Sequence, residues 1–384
     1  MRILFSANPL YGHIIPQLPL ARALRDQGHA VAFVSAASVA GLLASEGFEH
    51  LVAGPETFPD MVVEFERRTG VNLLEDGVDD ESEAEMFAAI RPDLGYQAAC
   101  DVARDWKPDL IVAEMFDYIA PMIGSALGVP FASLAYGPAV RPESLELLRV
   151  RAEERYREFG LDYSAPNWYL DTCPPGLQQR SWQAPETHVL LRPEAYSGSA
   201  AAPASASAAV AGTRAGTRAR PRVLVSFGTI FVIPEIITPI VRELLKQDLD
   251  IRITLGPKTA ADFDLDSDRV EYVGFTPLEQ LLGDVDVVLT VGGAGTVLGS
   301  LAHGIPMVMT PINADQPIHA GRAAAAGTGI AFEIGEAEPQ AVATAVAAVL
   351  AVPGYRRAAQ QIAAEIAAMP TPTEVAELLL TDLD

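Results

Sequence analysis

The sequence has little of what marks a secreted, metal-bound or nucleic-acid-binding protein. Its two cysteines, Cys100 and Cys173, stand far apart and lack CxxC spacing, which leaves neither a disulfide framework nor a zinc ribbon to build on. No apolar run approaches the roughly 18 residues of a membrane span, and the opening MRILFSANPL is too short an apolar stretch for a signal peptide. Basic charge is scarce: 27 Lys and Arg against 50 Asp and Glu give a formal net charge of −23. Such a field repels phosphate backbones and anionic lipid. Neither nucleic acid nor a membrane is expected as a partner, and the chain reads as reduced, soluble and cytoplasmic.

What is present is enough apolar material for two cores. The chain has 384 residues, 49% of them hydrophobic, and a single core stops growing at roughly 250–300 residues. Short apolar runs alternate with helical patterns: RILFS (2–6), a helix over about 15–27, HAVAFV (29–34), a helix over about 38–46, DLIVAE (109–114), a helix over about 118–127, and PFASLA (130–135). This alternation predicts a parallel sheet wrapped by helices. Residues 55–100 are polar and irregular in pattern, as variable loops are. After HVLLRP (188–193) the composition turns to small residues without periodicity, and 196–221 is read as a flexible linker.

The alternation then restarts with RVLVSF (222–227), a helix after Pro234, DIRITL (250–255), RVEYV (269–273), DVVLTV (286–291), PMVMT (306–310) and GIAFEI (329–334). Helical patterns over about 337–351 and 354–368 follow. The expected fold is α/β, two Rossmann-like doubly wound domains facing across a cleft, with domains at 1–195 and 222–384. The last segment, TPTEVAELLLTDLD (371–384), is read as folding back onto the N-terminal domain.

The strand ending at Val291 runs through Gly292, Gly293, Ala294 and Gly295 into a helix near Thr296. Bare backbone N–H groups at a helix N-terminus make an anion site suited to phosphate. GxxxxGK[ST] is absent, so the turn is not a Walker loop. Gly293, Gly295 and Gly299 spell GxGxxxG, but a dinucleotide fingerprint normally follows the first strand of its domain, and this one follows a late strand. Alone, the turn is also readable as tight strand-to-helix packing. SFGT (226–229) ends another strand in the same way, and strand ends of an open parallel sheet face one crevice. Two such turns on one rim suggest a diphosphate.

At this point 274–329, from GFTPLEQLLGDVDVVLTVGGAGTVLGS to AGRAAAAGTG, resembles the nucleotide-sugar signature of the GT-B-fold family 1 glycosyltransferases. YGHIIPQLPLARALRDQGHAVAFVS (11–35) is similar to that family's opening, and VAEMFDYIA (112–120) and RVLVSFGT extend the likeness. The texture is closest to the bacterial branch that decorates natural products from dTDP- or UDP-activated sugars. The resemblance implies a metal-independent, inverting hexosyltransferase without cofactor. Its substrates would be a dTDP- or UDP-linked (deoxy)sugar and a hydrophobic acceptor such as a polyketide, and a homodimer stays open.

Residue by residue, the resemblance makes His13 the general base. It puts a carboxylate at the end of the 109–114 strand, where Glu114 stands instead of the more frequent Asp; nearby Asp117 is the alternative. Without the family, His13 also reads as a helix cap and Glu114 as a solvated strand end. The donor set it implies is Gly293, Ala294, Gly295 and Thr296 on the diphosphate with Thr229 from the other turn. Phe275 takes the place of the base-stacking tryptophan, and Asp315 with Gln316 reaches the sugar hydroxyls. Phe275 equally reads as a core aromatic, and Asp315–Gln316 as a polar start to the helix at Pro317.

Three positions depart from the pattern. Val291 replaces the histidine usual before the glycines, Leu278 replaces Gln, and His319 replaces Asn; His303 and His319 are candidates to compensate the lost phosphate donor. DFDLDSD (262–268), EDGVDDESEAE (75–85) and DVD (284–286) contain acidic repeats without ligand-grade spacing. The rival readings are a nucleotide-sugar epimerase on the same fold, an NAD(P)-dependent oxidoreductase, and a non-catalytic nucleotide-binding homologue.

Overall fold

Strand exits decide where chemistry sits in a parallel sheet. The computed structural model describes residues 1–54, 58–72, 79–198, 219–228 and 232–383. It divides into two compact units, one of Met1–Cys173, Arg180–Arg192 and Pro370–Asp384, the other of Pro174–Gln179 and Pro193–Met369. Most of the segment read as a linker, residues 199–218, lies outside the described residues, as do Thr229 and part of the acidic run at 75–85.

The first unit is built on seven strands: β1 (Arg2–Ser6), β2 (Ala30–Ser35), β3 (Glu49–Val52), β4 (Leu110–Glu114), β5 (Phe131–Ala135), β6 (Trp168–Asp171) and β7 (His188–Leu190). All pairs are parallel, in the order β3-β2-β1-β4-β5-β6-β7. Strand β1 is an inner strand, with Ile3 in register with Val31 on one side and Leu110 on the other. Ile3, Leu4 and Phe5 are fully buried, as a strand covered by helices on both faces requires. The strand order reverses between β1 and β4, the topological switch point at which open α/β sheets place their ligands.

The second unit repeats the plan with six parallel strands: β8 (Arg222–Ser226), β9 (Asp250–Thr254), β10 (Val270–Val273), β11 (Val287–Thr290), β12 (Met307–Met309) and β13 (Gly329–Ala331). The order is β10-β9-β8-β11-β12-β13, and its switch point falls between β8 and β11. Val223, Val225, Ile251, Ile253, Val287 and Leu289 pack with Ile237, Val241, Val342 and Val346 of the flanking helices into one core. Prolines begin those helices at Pro234, Pro339 and Pro353, where the missing N–H has no partner to lose.

The described residues of 55–100 are not the irregular loops that their pattern predicts. They form helices Phe58–Thr69 and Asp80–Glu85, a π-helical turn Met86–Ile90, and the start of helix Arg91–Trp106. The buried stripe of the last helix is Arg91, Pro92, Gly95, Tyr96, Ala99, Cys100, Ala103 and Trp106. Its spacing is helical, but an arginine and small residues carry it, so hydropathy alone shows no stripe. Strands β3 and β6 are also absent from the sequence reading; β3 is a half-exposed edge of four residues.

The chain's last helix, Pro372–Thr381, belongs to the first unit and lies on helix Leu18–Asp26. A capping box of Thr371 and Glu374 starts it. It is anchored by Arg192 N–H to Pro370 O (2.8 Å) and by Trp168 Nε1 to the Asp382 carboxylate (2.9 Å). Val375, Ala376 and Leu379 are buried. Leu379→Ala is therefore expected to cost about 2–5 kcal/mol, read in urea unfolding, whereas Leu378→Ala at the exposed neighbouring position changes stability by about 0.5 kcal/mol or less. Equal effects at the two positions would contradict the packing of this helix.

Candidate active site

The exit of β1 descends through Ser6, Ala7 and Asn8 into a short helix Tyr11–Ile14, a 3₁₀ turn Ile15–Gln17 and helix Leu18–Asp26. Buried Gln17 ties this path back to the strand, its Nε2 donating to Ser6 O (3.2 Å) and His13 O (3.1 Å). His13 thereby projects toward the end of β4. It does not cap a helix: its Nδ1 lies 3.0 Å from Glu114 Oε1. Glu114 is not solvated either, being 1% exposed. The two residues that the sequence singled out from separate strands meet at the switch point.

Glu114 collects donors on both oxygens. Asn8 Nδ2 reaches Oε1 at 2.5 Å, Phe116 N–H reaches Oε2 at 2.8 Å, and the Tyr136 hydroxyl reaches Oε2 at 3.4 Å while lying 3.1 Å from His13 Nδ1. Burial pushes the Glu114 carboxyl up, but the charge of His13 and the bonds from His13, Phe116 and Asn8 outweigh it and hold the group below the usual carboxylate range. Asp117, the alternative partner, is engaged elsewhere: it accepts from Ser6 Oγ and from Ile119 N–H (3.0 Å). Its carboxyl is pushed up by burial, only partly offset by the charge of Arg91 and these hydrogen bonds.

Aromatic rings surround the imidazole. Tyr136, Phe87 and Phe116 lie 5.5, 5.8 and 6.4 Å from it between centroids, and Phe58 extends the wall 6.4 Å beyond Phe87. Phe87 comes from the π-helical turn, a distortion that often marks functional positions. Asn8, Tyr136 and Phe87 are not among the residues drawn from the sequence. The signal for the first two was available, since Asn8 follows β1 and Tyr136 follows β5 directly.

In the second unit, β11 exits into the glycine turn and helix Ala294–Ala302, with Gly293 as an N-cap that supplies no side chain. Gly292 has φ +93°, and a Cβ there would stand 3.0 Å from Gln316 O. Gly292 N–H turns inward to Thr290 Oγ1 (3.3 Å), and Thr296 N–H to Gly293 O (3.1 Å). Thr296 therefore has only its hydroxyl to offer a ligand. Among the described residues, the N–H groups of Gly293, Ala294 and Gly295 meet no acceptor. The part of the turn with N–H groups left open is three residues.

The neighbouring exits fill in around it. β12 leads to Ala314 at φ 57°, a strained conformation for alanine, and on to Asp315 and Gln316 at the head of helix Gln316–Ala325. Gln316 Oε1 accepts from Ile312 N–H (2.8 Å) and Asn313 N–H (3.1 Å), so the side chain braces its loop with its oxygen and has its amide left to donate. His319, buried one turn on, donates Nδ1–H to Gly292 O (3.1 Å), and its Nε2 lies 3.7 Å from Asp315 Oδ2. His319 thus links the glycine turn to Asp315.

His303 does not serve the turn: it sits at the far end of helix Ala294–Ala302, on Gly299 O and Glu279. Val291 is buried in the apolar core. Phe275, after β10, is no core aromatic; it is 57% exposed, with the Tyr196 ring 6.1 Å away. Asp284 and Asp286 enter β11 from the opposite end, where Arg222 and Arg252 hold Asp284 (Arg252 Nη1 at 2.8 Å).

Two parallel-sheet α/β units with these strand exits define a glycosyltransferase of the GT-B fold. The solved glycosyltransferase SsfS6 of Streptomyces sp. SF2575, complexed with thymidine diphosphate, superposes with a TM-score of 0.82 at 24% identity over 99% of both chains. The chain belongs to the erythromycin biosynthesis protein CIII-like family, whose N-terminal domain model matches residues 22–228 and whose C-terminal domain model matches residues 239–381. Two relatives span nearly the whole length. The elloramycin glycosyltransferase of Streptomyces olivaceus is 28% identical over 99% of this chain and 97% of its own. The aclacinomycin-T 2-deoxy-L-fucose transferase of Streptomyces galilaeus is 26% identical over 99% and 95%. Among the described residues no helix is long and apolar enough to cross a membrane.

The bend at Gly292 is expected to be intolerant of any side chain. Gly292→Ala forces both the positive φ and the contact with Gln316 O, a cost of about 1–3 kcal/mol measurable by chemical denaturation. Gly295, where a Cβ would meet nothing within 4 Å, accepts alanine at little cost to stability. The reverse ranking would contradict the turn's geometry.

Proposed function

We propose that this glycosyltransferase moves a deoxysugar from a thymidine diphosphate sugar, with UDP as the alternative carrier, to a hydrophobic natural-product acceptor with inversion at the anomeric carbon. The observation that carries the reading is the 3.0 Å contact of His13 Nδ1 with buried Glu114. With Nδ1–H directed to the carboxylate, Nε2 is the nitrogen that accepts a proton, and Glu114 stabilises the imidazolium as it forms. The acceptor nucleophile attacks the anomeric carbon and its proton passes to His13. The bond between that carbon and the diphosphate oxygen breaks, and its electron pair leaves with the nucleotide.

The leaving diphosphate is assigned to the N–H groups of Gly293, Ala294 and Gly295 and the hydroxyl of Thr296, with Thr229 as a further donor. Fixed dipoles aimed at growing negative charge stabilise a transition state more than a ground state. Phe275 is assigned to stacking on the base, and Asp315 with the Gln316 amide to the sugar hydroxyls. The aromatic wall of Phe58, Phe87, Phe116 and Tyr136 suits an apolar acceptor beside the base. The thymidine diphosphate bound by SsfS6 and the deoxyhexose transferred by the aclacinomycin-T enzyme, as their names state, support the choice of donor.

A matrix of thymidine and uridine diphosphate sugars against polyketide aglycones, read by mass spectrometry, tests the reaction. His13→Ala is expected to lower product formation by about 10²–10⁴-fold while thymidine diphosphate binding, measured by calorimetry, stays within a factor of a few; unchanged turnover would remove His13 as the base. Phe275→Ala is expected to weaken thymidine diphosphate about fivefold, the loss of about 1 kcal/mol of stacking. Unaltered affinity would remove Phe275 from the base site.

A further inference from the structure

Below the His13–Glu114 pair lies a cation that the chemistry above does not use. Arg91 opens helix Arg91–Trp106 and is 1% exposed. Its Nη2 lies 3.5 Å from Ala7 O, and among the described residues Nε and Nη1 meet no acceptor. The fold makes room for it with glycine on two sides: a Cβ at Gly54 would collide with Nη1, and one at Gly95 would come within 2.5 Å of it. A guanidinium so costly to bury needs an electrostatic return.

That return is in the strand exit. Ser6, Ala7 and Asn8 are consecutive; Ser6 Oγ holds Asp117, Ala7 O receives Arg91, and Asn8 Nδ2 holds Glu114. Two buried carboxylates and one buried cation therefore hang from three successive residues. Resting on the base assignment above, we infer that Arg91 is a positioning residue, a sealed counter-charge that lets Glu114 and Asp117 coexist as anions and so leaves one net negative charge to match the single positive charge that His13 gains. Without Arg91 the cluster carries one uncompensated carboxylate. Without Asp117 it has no surplus negative charge to favour the imidazolium.

The charges of Asp117 and Glu114 both act on Arg91, against the burial that disfavours its charged form. The other titratable neighbours are Tyr136 on His13 and Glu114, and Tyr118 and Tyr156, which couple to Glu114 and Asp117. Burial pushes the hydroxyls of Tyr118 and Tyr156 well above the usual range, so both stay neutral. Tyr163 and Glu83 act on Tyr118 in turn.

The test is an NMR titration of the imidazoles in the full-length protein, with His13 assigned by its loss in His13→Ala, alongside the pH profile of kcat. Arg91→Met is expected to raise the His13 midpoint by about one pH unit and Asp117→Asn to lower it by about as much. Arg91→Met/Asp117→Asn returns it to the native value, and the acid limb of kcat follows the same order. Midpoints that coincide in all four proteins would overturn the inference, as would a double variant further from native than either single one. Should Arg91→Met not fold, the folded double variant decides by the same criterion: a midpoint within about 0.3 units of native supports charge matching, and a larger displacement refutes it. The NMR reading needs no turnover, so it stands apart from the fate of the base assignment, which the His13→Ala assay reads separately.

Discussion

The hydrogen bond between His13 and Glu114 depends on one topological fact, that β1 and β4 are neighbours although a hundred residues separate them. Parallel pairing puts Ser6 beside Ala113, so the residues that follow each strand emerge at one edge. The order reverses there, and no helix crosses the gap on that side. The second unit repeats this with β8 and β11, where Ser226 pairs with Thr290 and both strands run out into glycine. A β1 shifted by one position would turn Asn8 and the path to His13 to the other face of the sheet, and Glu114 would lose both of those partners. The chemistry is thus inherited from register, and register from the apolar runs that must be covered on both faces.

Reach explains how a glutamate serves where the resemblance implies an aspartate. At the end of β4 the side chain must accept from Phe116 N–H, two residues on, while reaching sideways to Asn8 and His13. Glutamate's extra methylene reaches all three, and Asp117 is left to a separate task with Ser6 and the start of helix Ile119–Leu127. Two carboxylates so near each other are mutually destabilising in a dry interior. Hydrogen bonds to both carboxylates offset part of that cost, and the charge of Arg91 beside them offsets more.

The strands with continuous apolar runs were legible because such runs have few other readings; RILFS and DVVLTV are strands to within a residue. The region 55–100 was not, because the buried face of its last helix mixes Gly95, Ala99 and an arginine with Tyr96 and Cys100. The same blindness hid Arg91, whereas Asn8 and Tyr136 stand at strand ends, where their position but not their role could be read. No motif names them, and their roles come from what burial places beside them. His13, Glu114 and the glycine turn were legible through resemblance and strand-end logic together. The division of labour between Glu114 and Asp117 needed distances.

Val291 shows how a departure from a pattern is absorbed. An imidazole at that position would leave the core of the second unit, which Val291 now completes with Leu289 and Val308. A histidine appears instead at His319, one helical turn past Asp315, and bonds the carbonyl of Gly292 rather than projecting beyond the turn. By holding that carbonyl inward it fixes the peptide plane whose other side is Gly293 N–H. The carbonyl and the N–H of one peptide point opposite ways, so anchoring the first aims the second. His319 thus orients a backbone donor of the turn, one of the groups on which the proposed diphosphate site rests, although Val291 puts no polar side chain there.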